Sequence, residues 1–433
     1  MNAKADVLVS PSCLKSWQHI AIFLFACAVL IARKPDAVFH AQFYGEDGHV
    51  WFADAYNLGW APALLHTWSG YFQTFPRIAA AFALLVPLAL VPLFFNLIAI
   101  LVQALPISLL LCSRSAPWGS LKFRAMLVGI YLVLPNSEQM SCGITESLWF
   151  LALCAFVVLV ASAPKSAVGW SFDVLILLLC GLTGPFCIFL FLIALYLAEK
   201  NRDRRHWVLA ALLMALSMVQ AWALIHLGSS CDPFDHRVTG LKVMGPTPAL
   251  FARILASQIY LGTLLGGNGF GASPGLVPLI VFTCIAVAGT ALVVYCFVKA
   301  SVEMRLFLAF ASMPFAGALI SCTGNPPPGV SVWSLFAASG GIRYWFFPTL
   351  AFAWTIVWCF EKRRGDLRTV AAGLLCLMCI GVLRDLRHPA FKDVQFAEYA
   401  KSFRAAPAGT TVLIPENPDG WTARLTKRPG EAR

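Results

Sequence analysis

The sequence predicts an all-α polytopic membrane protein of about eleven transmembrane helices. Three observations carry this. Of 433 residues, 59% are hydrophobic and 12% charged, with a mean hydropathy of +0.75, which excludes a soluble globular chain. The apolar residues come in continuous runs rather than in alternation, so helices, not a closed barrel, would satisfy the backbone in lipid. Lys and Arg also divide unevenly between alternate loops, sixteen on one side against seven on the other. The net charge of +11 is then a topological signal and gives no support to nucleic-acid binding.

The first apolar run, 17–32, lacks a small-residue cleavage site and reads as a retained helix rather than a signal peptide. Residues 35–91 follow as the first large loop, rich in Trp51, Trp60, Trp68, Tyr44, Tyr56 and Tyr71, residue types that favour the headgroup region. Asp47, Val50, Asp54 and Asn57 recur at helical spacing and predict a helix with one polar face. The apolar stretch 78–91, bounded by prolines, is expected to lie at the interface instead of crossing. Further spans are expected at 92–112, 123–134, 148–163, 172–182, 185–197, 207–227, 275–298, 306–321, 344–360 and 370–383. Between 172 and 197 the LTGP motif breaks the run, predicting two short spans that meet at an outward tip.

The charge asymmetry places the N-terminus in the cytoplasm and the first loop outside, and the odd span count sends residues 384–433 outside as well. This gives two units: a membrane domain over 1–383 and a small extracytoplasmic tail over 384–433, too short for a large core and read as a lid or cap. Most cysteines sit inside apolar runs as small hydrophobes. Among Cys142, Cys231 and Cys322 one outward-facing pair could bridge. There is no P-loop, no GxGxxG after a strand and no HExxH, so a nucleotide-binding or ATPase module is not expected and no nucleotide cofactor is implied.

The candidate chemistry concentrates in the first loop. Glu46 and Asp47 are adjacent carboxylates at a membrane exit, suited to general-base work on a hydroxyl or to a divalent cation. Asp54 lies on the same helical face. His49, two residues after Asp47, is a candidate to bind a metal or the leaving phosphate and so to touch substrate. Arg343 and Tyr344, behind two glycines at the outer end of a span, suit a lipid phosphate, and Arg77 in TFPR is a similar candidate. Glu138 and Glu146 flank another outer loop. Asn268, in the glycine-rich part of a connector over 226–273, suits a substrate gate.

Gly45, Glu46, Asp47 and Gly48 after the first helix, the interfacial stretch from Trp51 to Val91, LTGP at 182–185, GIRYWFFP at 341–348 and PENPDGW in the tail together resemble the GT-C superfamily of membrane glycosyltransferases, and bacterial members in particular. The resemblance implies a donor sugar on a polyprenyl phosphate, a glycan or lipid acceptor in the cell envelope, and a plasma-membrane location. It implies a first-loop acid as base or metal ligand, carried onto Glu46 or Asp47, with Mg²⁺ or Mn²⁺ as an optional cofactor. A lipid-linked sugar flippase or other secondary transporter is the competing class. It would place ionisable residues near mid-membrane, where the sequence has none well inside a run.

Overall fold

A computed structural model describes residues 14–141, 143–227, 237–267, 276–323, 326–338 and 341–429. Each of the eleven apolar runs is a helix. Among the described residues, seven helices have the length and apolarity to cross a membrane: Ser16–Arg33, Leu88–Leu111, Arg204–His226, Pro248–Leu265, Pro278–Lys299, Val302–Ile320 and Asp366–Arg384. The remaining runs form Leu121–Leu132, Ser147–Val160, Ala167–Gly181, Phe186–Asn201 and Ile342–Lys362.

Two of these form the centre of the bundle. Every residue of Ser147–Val160 is buried, as is nearly all of Ile342–Lys362 after its first turn. A helix that is apolar all round belongs inside other helices. Val302–Ile320 packs its rings on both central helices: Phe310 stacks on Phe156 at 5.3 Å, Phe307 approaches Trp354 to 4.3 Å and Phe310 approaches Phe347 to 4.8 Å. The outer helices instead expose Leu24, Met218, Val287 and Ile380, as a lipid-facing surface requires.

Buried arginines hold helix ends. Arg33 donates to Leu132 O and Leu134 O, Arg124 to Leu110 O and Cys112 O, and Arg205 to Val158 O and Ala161 O. Each caps the C-terminal carbonyls of another helix, where backbone acceptors are unpaired and the helix dipole favours a cation. Fully buried Asp173 is gripped at both oxygens by Arg114, at 2.9 and 2.5 Å. Arg33, one of the seven cations assigned to the outer loops by the charge count, is therefore a structural cap.

The LTGP break is resolved into two helices running in opposite directions. Gln220, near the end of Arg204–His226, donates to Gly181 O, whereas Arg205, near its start, meets the far end of Ser147–Val160. The tip docks on the first loop: Thr74 N donates to Leu182 O and Gly184 N to Phe72 O.

Pro248–Leu265 differs from expectation, since the sequence placed it inside a connector. Arg253, Ser257, Gln258 and Gly262 interrupt its apolar run, and its middle, Ile254–Leu261, is π-helical. Gln258 donates to Ala337 O, just before Ile342–Lys362, and Gly267 N donates to Asp385, just after Asp366–Arg384. Those two hydrogen bonds lie at one end of the bundle, where the two antiparallel helices respectively begin and finish, while Tyr260 packs on Phe352 midway along Ile342–Lys362.

The first loop is built from short pieces. A π-helical turn, Asp47–Phe52, continues into Ala53–Leu58; then come Trp60–Leu65, a hairpin pairing Thr67 with Phe72 and Trp68 with Tyr71, and Thr74–Ala83. The last is ten residues long, too short to cross. Val50 is buried, so the spacing that suggested a polar face instead sits against a second apolar core. That core joins Phe43, Trp51, Tyr56 and Phe95 to Phe396, Phe403, Ile414 and Leu425 of the tail. The tail itself is one helix, Phe396–Ala405, and an antiparallel hairpin pairing Thr411–Glu416 with Trp421–Thr426. Cys322 is a free thiol; Cys142, Cys231 and Asn268 lie outside the described residues.

Candidate active site

The tail is laced to the residues that lead into the acidic pair. His388 N donates to Arg33 O, Phe391 N to Asp36, Val394 N to Gln42, Asn417 N to Phe43 O and Gly45 N to Asn417 O. Gly45 stands at φ +57°, a left-handed conformation that glycine takes without strain. Gly48 carries no side chain where the Glu416 carboxyl and the Phe43 ring close over it; any Cβ there would clash with both.

The two adjacent acids then part. Asp47 is 1% exposed and accepts from Ile144 N at 3.1 Å, Thr145 N at 3.3 Å and Thr145 Oγ1 at 3.0 Å. Gly143 leaves room for it. Burial, reinforced by the neighbouring Glu46 charge, pushes its pKa up to about 8 against the pull of those hydrogen bonds. Asp47 is a strut between the first loop and the loop before Ser147–Val160.

Glu46 points the other way. A carboxylate oxygen lies 3.9 Å from Arg343 Nη1, with both side chains partly exposed. Arg343 is also surrounded by Glu146, Tyr71 and Tyr344, and its guanidinium sits 5.3 Å from the Tyr344 ring centre. Tyr344 Oη accepts from Thr323 N at 3.0 Å, which fixes the ring. Burial pushes the Tyr71 phenol up to about 12, against the pull of the Arg237 and Arg343 charges, so it remains a proton donor. Arg343 N donates to Gln139 at 3.1 Å, tying the loop that carries Glu138 to this helix end.

The other candidates have structural partners. Arg77, 1% exposed, pairs with Asp54 at 2.9 Å and lies 5.1 Å from the Trp51 ring. His49 Nδ1 is 2.8 Å from Thr422 O, edge-on to Trp68 and Trp421, and joins the first loop to the tail hairpin. Sequence reasoning did not single out Tyr71 or Glu416. Glu416 is buried beside the Gly48 and His49 backbone N–H groups, and burial, then the Asp47 charge, drives its pKa well above the carboxylate range against their pull. Its location in PENPDGW was the available signal.

A divalent cation does not fit this donor set. Both Asp47 oxygens are occupied by N–H and O–H donors and Glu46 has a guanidinium beside it. No group of three or more His, Cys, Asp or Glu among the described residues has ligating geometry.

No family model matches the chain, and no curated protein does. Two solved structures from Archaeoglobus fulgidus are similar to it. The apo oligosaccharyltransferase is 12% identical, with a TM-score of 0.45 over 91% of this chain and 59% of its own. The oligosaccharyltransferase AglB, in complex with an inhibitory peptide and a dolichol-phosphate, is 10% identical, with a TM-score of 0.47 over 90% and 58%. The chain thus spans about three-fifths of their length. At that level of likeness, functional assignment rests on this chain's own residues: a multi-pass helical membrane protein with a carboxylate and an arginine meeting where the bundle joins its first loop.

Proposed function

We propose that this protein is a membrane glycosyltransferase that moves a sugar from a polyprenyl-phosphate donor to a cell-envelope glycan or lipid, on the outer face of the plasma membrane. The observation that carries the reading is the Glu46–Arg343 pair: a partly exposed carboxylate beside a partly exposed guanidinium at the end of a central helix. The Lys and Arg asymmetry supports an extracytoplasmic first loop and tail.

In this mechanism Glu46 takes the proton of an acceptor hydroxyl. The oxygen then attacks the anomeric carbon with inversion, and the bond to the lipid phosphate breaks. Arg343 balances the charge that grows on the departing phosphate, where an arginine fork is the better match than a lysine point charge. Their separation of 3.9 Å is longer than a hydrogen-bonded ion pair, so neither group is committed to the other by a direct hydrogen bond. Asp47 does not act as the base, because its oxygens are committed to the Ile144–Thr145 backbone and hydroxyl.

Transport receives less support. Arg33, Arg124 and Arg205 serve as caps at helix ends, and Asp173 is held by Arg114; none of these makes the mid-membrane ion site that coupling requires.

The test is the glycan and lipid profile of cells that express wild type, Glu46→Gln or Asp47→Asn at matched levels. Loss of one sugar modification in Glu46→Gln, with the protein still inserted, is the expected result. Full modification in both variants would remove the first loop from the chemistry.

A further inference from the structure

At the start of the span Leu88–Leu111, the tail and the first loop enclose a cavity of about 220 Å³. The tail supplies Arg404, Lys427 and Arg428; the first loop supplies the Tyr56 ring and an apolar turn that runs through Leu84 to Leu88. Glu46, Tyr71 and Arg343 do not line it, so it is separate from the candidate active site.

The charge of the lining is of one sign. Three cations converge and no Asp or Glu is among the lining residues. Arg404 is exposed and makes no hydrogen bond or ion pair among the described residues. Arg428 lies over the Tyr56 ring at 4.6 Å and donates from Nη2 to Ala55 O and Tyr56 O. Its Nε and Nη1 make no hydrogen bond among the described residues and are not buried. Lys427 is 6% exposed and lies over the Phe403 ring at 5.3 Å, so it contributes charge to the cavity more than contact. A concave surface of one sign concentrates the opposite charge, and guanidinium forks suit phosphate oxygens.

The other wall belongs to the membrane boundary. Leu88 both lines the cavity and opens a membrane-crossing helix. Around it Phe82, Leu85 and Leu90 are 60%, 82% and 50% exposed, an apolar surface that water would not favour and acyl chains would. The volume is below that of drug-sized ligand sites, which suits a headgroup whose chains stay outside.

We propose that this cavity holds the headgroup phosphate of an anionic phospholipid, with the phosphate between Arg404 and Arg428 and the acyl chains along the turn at Leu85 and Leu88. The lipid then bridges tail and membrane domain. The proposal does not depend on the transferase reading.

The experiment uses the full-length protein, reconstituted in nanodiscs of phosphatidylcholine mixed with phosphatidylglycerol, with the lipids retained after release into detergent read by native mass spectrometry. The wild type should retain phosphatidylglycerol in preference to phosphatidylcholine. Arg404→Gln, which removes no internal contact, should reduce that preference roughly fivefold. Lys401→Gln, an exposed cation on the same helix but outside the cavity, should leave it unchanged. No preference in the wild type, or unchanged preference in Arg404→Gln, overturns the proposal. An equal loss in Lys401→Gln also overturns it, since diffuse surface charge would then suffice. So does displacement of the lipid by inorganic phosphate but not by chloride at equal ionic strength, which would mark a site for a free anion.

Discussion

Glu46 and Arg343 come from opposite ends of the membrane domain, yet a carboxylate oxygen of one lies 3.9 Å from a guanidinium nitrogen of the other. Three attachments bring them together: Gly45 hydrogen-bonded to the tail, Gln139 bonded to the Arg343 backbone, and Tyr344 fixed on Thr323.

If this pair is the reacting centre, removing the base should cost far more than removing either packing partner. Glu46→Gln is expected to lower transfer by roughly 10²–10⁴-fold. Arg343→Lys is expected to lose most activity although it retains the charge, because an ammonium cannot span two phosphate oxygens. Single-turnover transfer with a lipid-linked donor measures both; wild-type rates in Arg343→Lys would remove it from the mechanism.

Asp47 predicts a pH effect on stability. Its folded pKa is raised to about 8 from a usual value near 3.8, so between those values the folded state holds a proton that the unfolded state has released. Stability from this group is therefore full below about pH 4, falls as pH rises, and is lost above about pH 8. Asp47→Asn, which keeps an accepting oxygen and never ionises, should flatten the decline of the thermal midpoint between pH 5 and 8. An unchanged slope would show that Asp47 is ionised in the fold.

Asp54 and Arg77 are expected to act through stability. Arg77 is buried, and Asp54→Asn would leave its guanidinium without a counter-charge. Because the Asp54 side chain is 28% exposed, the cost should be about 1–3 kcal/mol, below that of a fully buried pair. Thermal unfolding in detergent should show a lower midpoint, with activity per folded molecule unchanged. A normal midpoint with lost activity would return Asp54 to the reacting centre.

Gly48 predicts how the tail is held. A methyl group there meets the Glu416 carboxyl and the Phe43 ring, so Gly48→Ala should loosen the tail from the first loop. Faster proteolytic release of the Thr411–Glu416 hairpin strand would register this, and unaltered protection would show that the carboxyl can move aside.

The orientation of the chain can be read with thiols. In a background lacking Cys284, Cys376 and Cys379, which are exposed, and also Cys13, Cys142 and Cys231, Leu413→Cys on the tail hairpin should react with an impermeant reagent on intact spheroplasts, and Val168→Cys should not. The reverse pattern would invert the topology and place the candidate site in the cytoplasm.

Hydropathy by itself determined the helical membrane class, all eleven apolar helices and the LTGP break. Burial in lipid is a local, additive property of consecutive side chains, so a run of twelve to twenty-four residues announces itself. Aromatic and acidic enrichment likewise pointed to the first loop, which supplies Glu46 to the pair with Arg343. Only the tertiary structure decided which acid is free. Glu46 and Asp47 are indistinguishable in sequence, but Asp47 meets the Ile144–Thr145 amides and Glu46 meets Arg343. The same holds for Arg77 with Asp54 and for the Pro248–Leu265 helix inside an expected connector. Charge state, solvent access and pairing depend on groups delivered from distant parts of the chain, and no local pattern records which neighbours those will be.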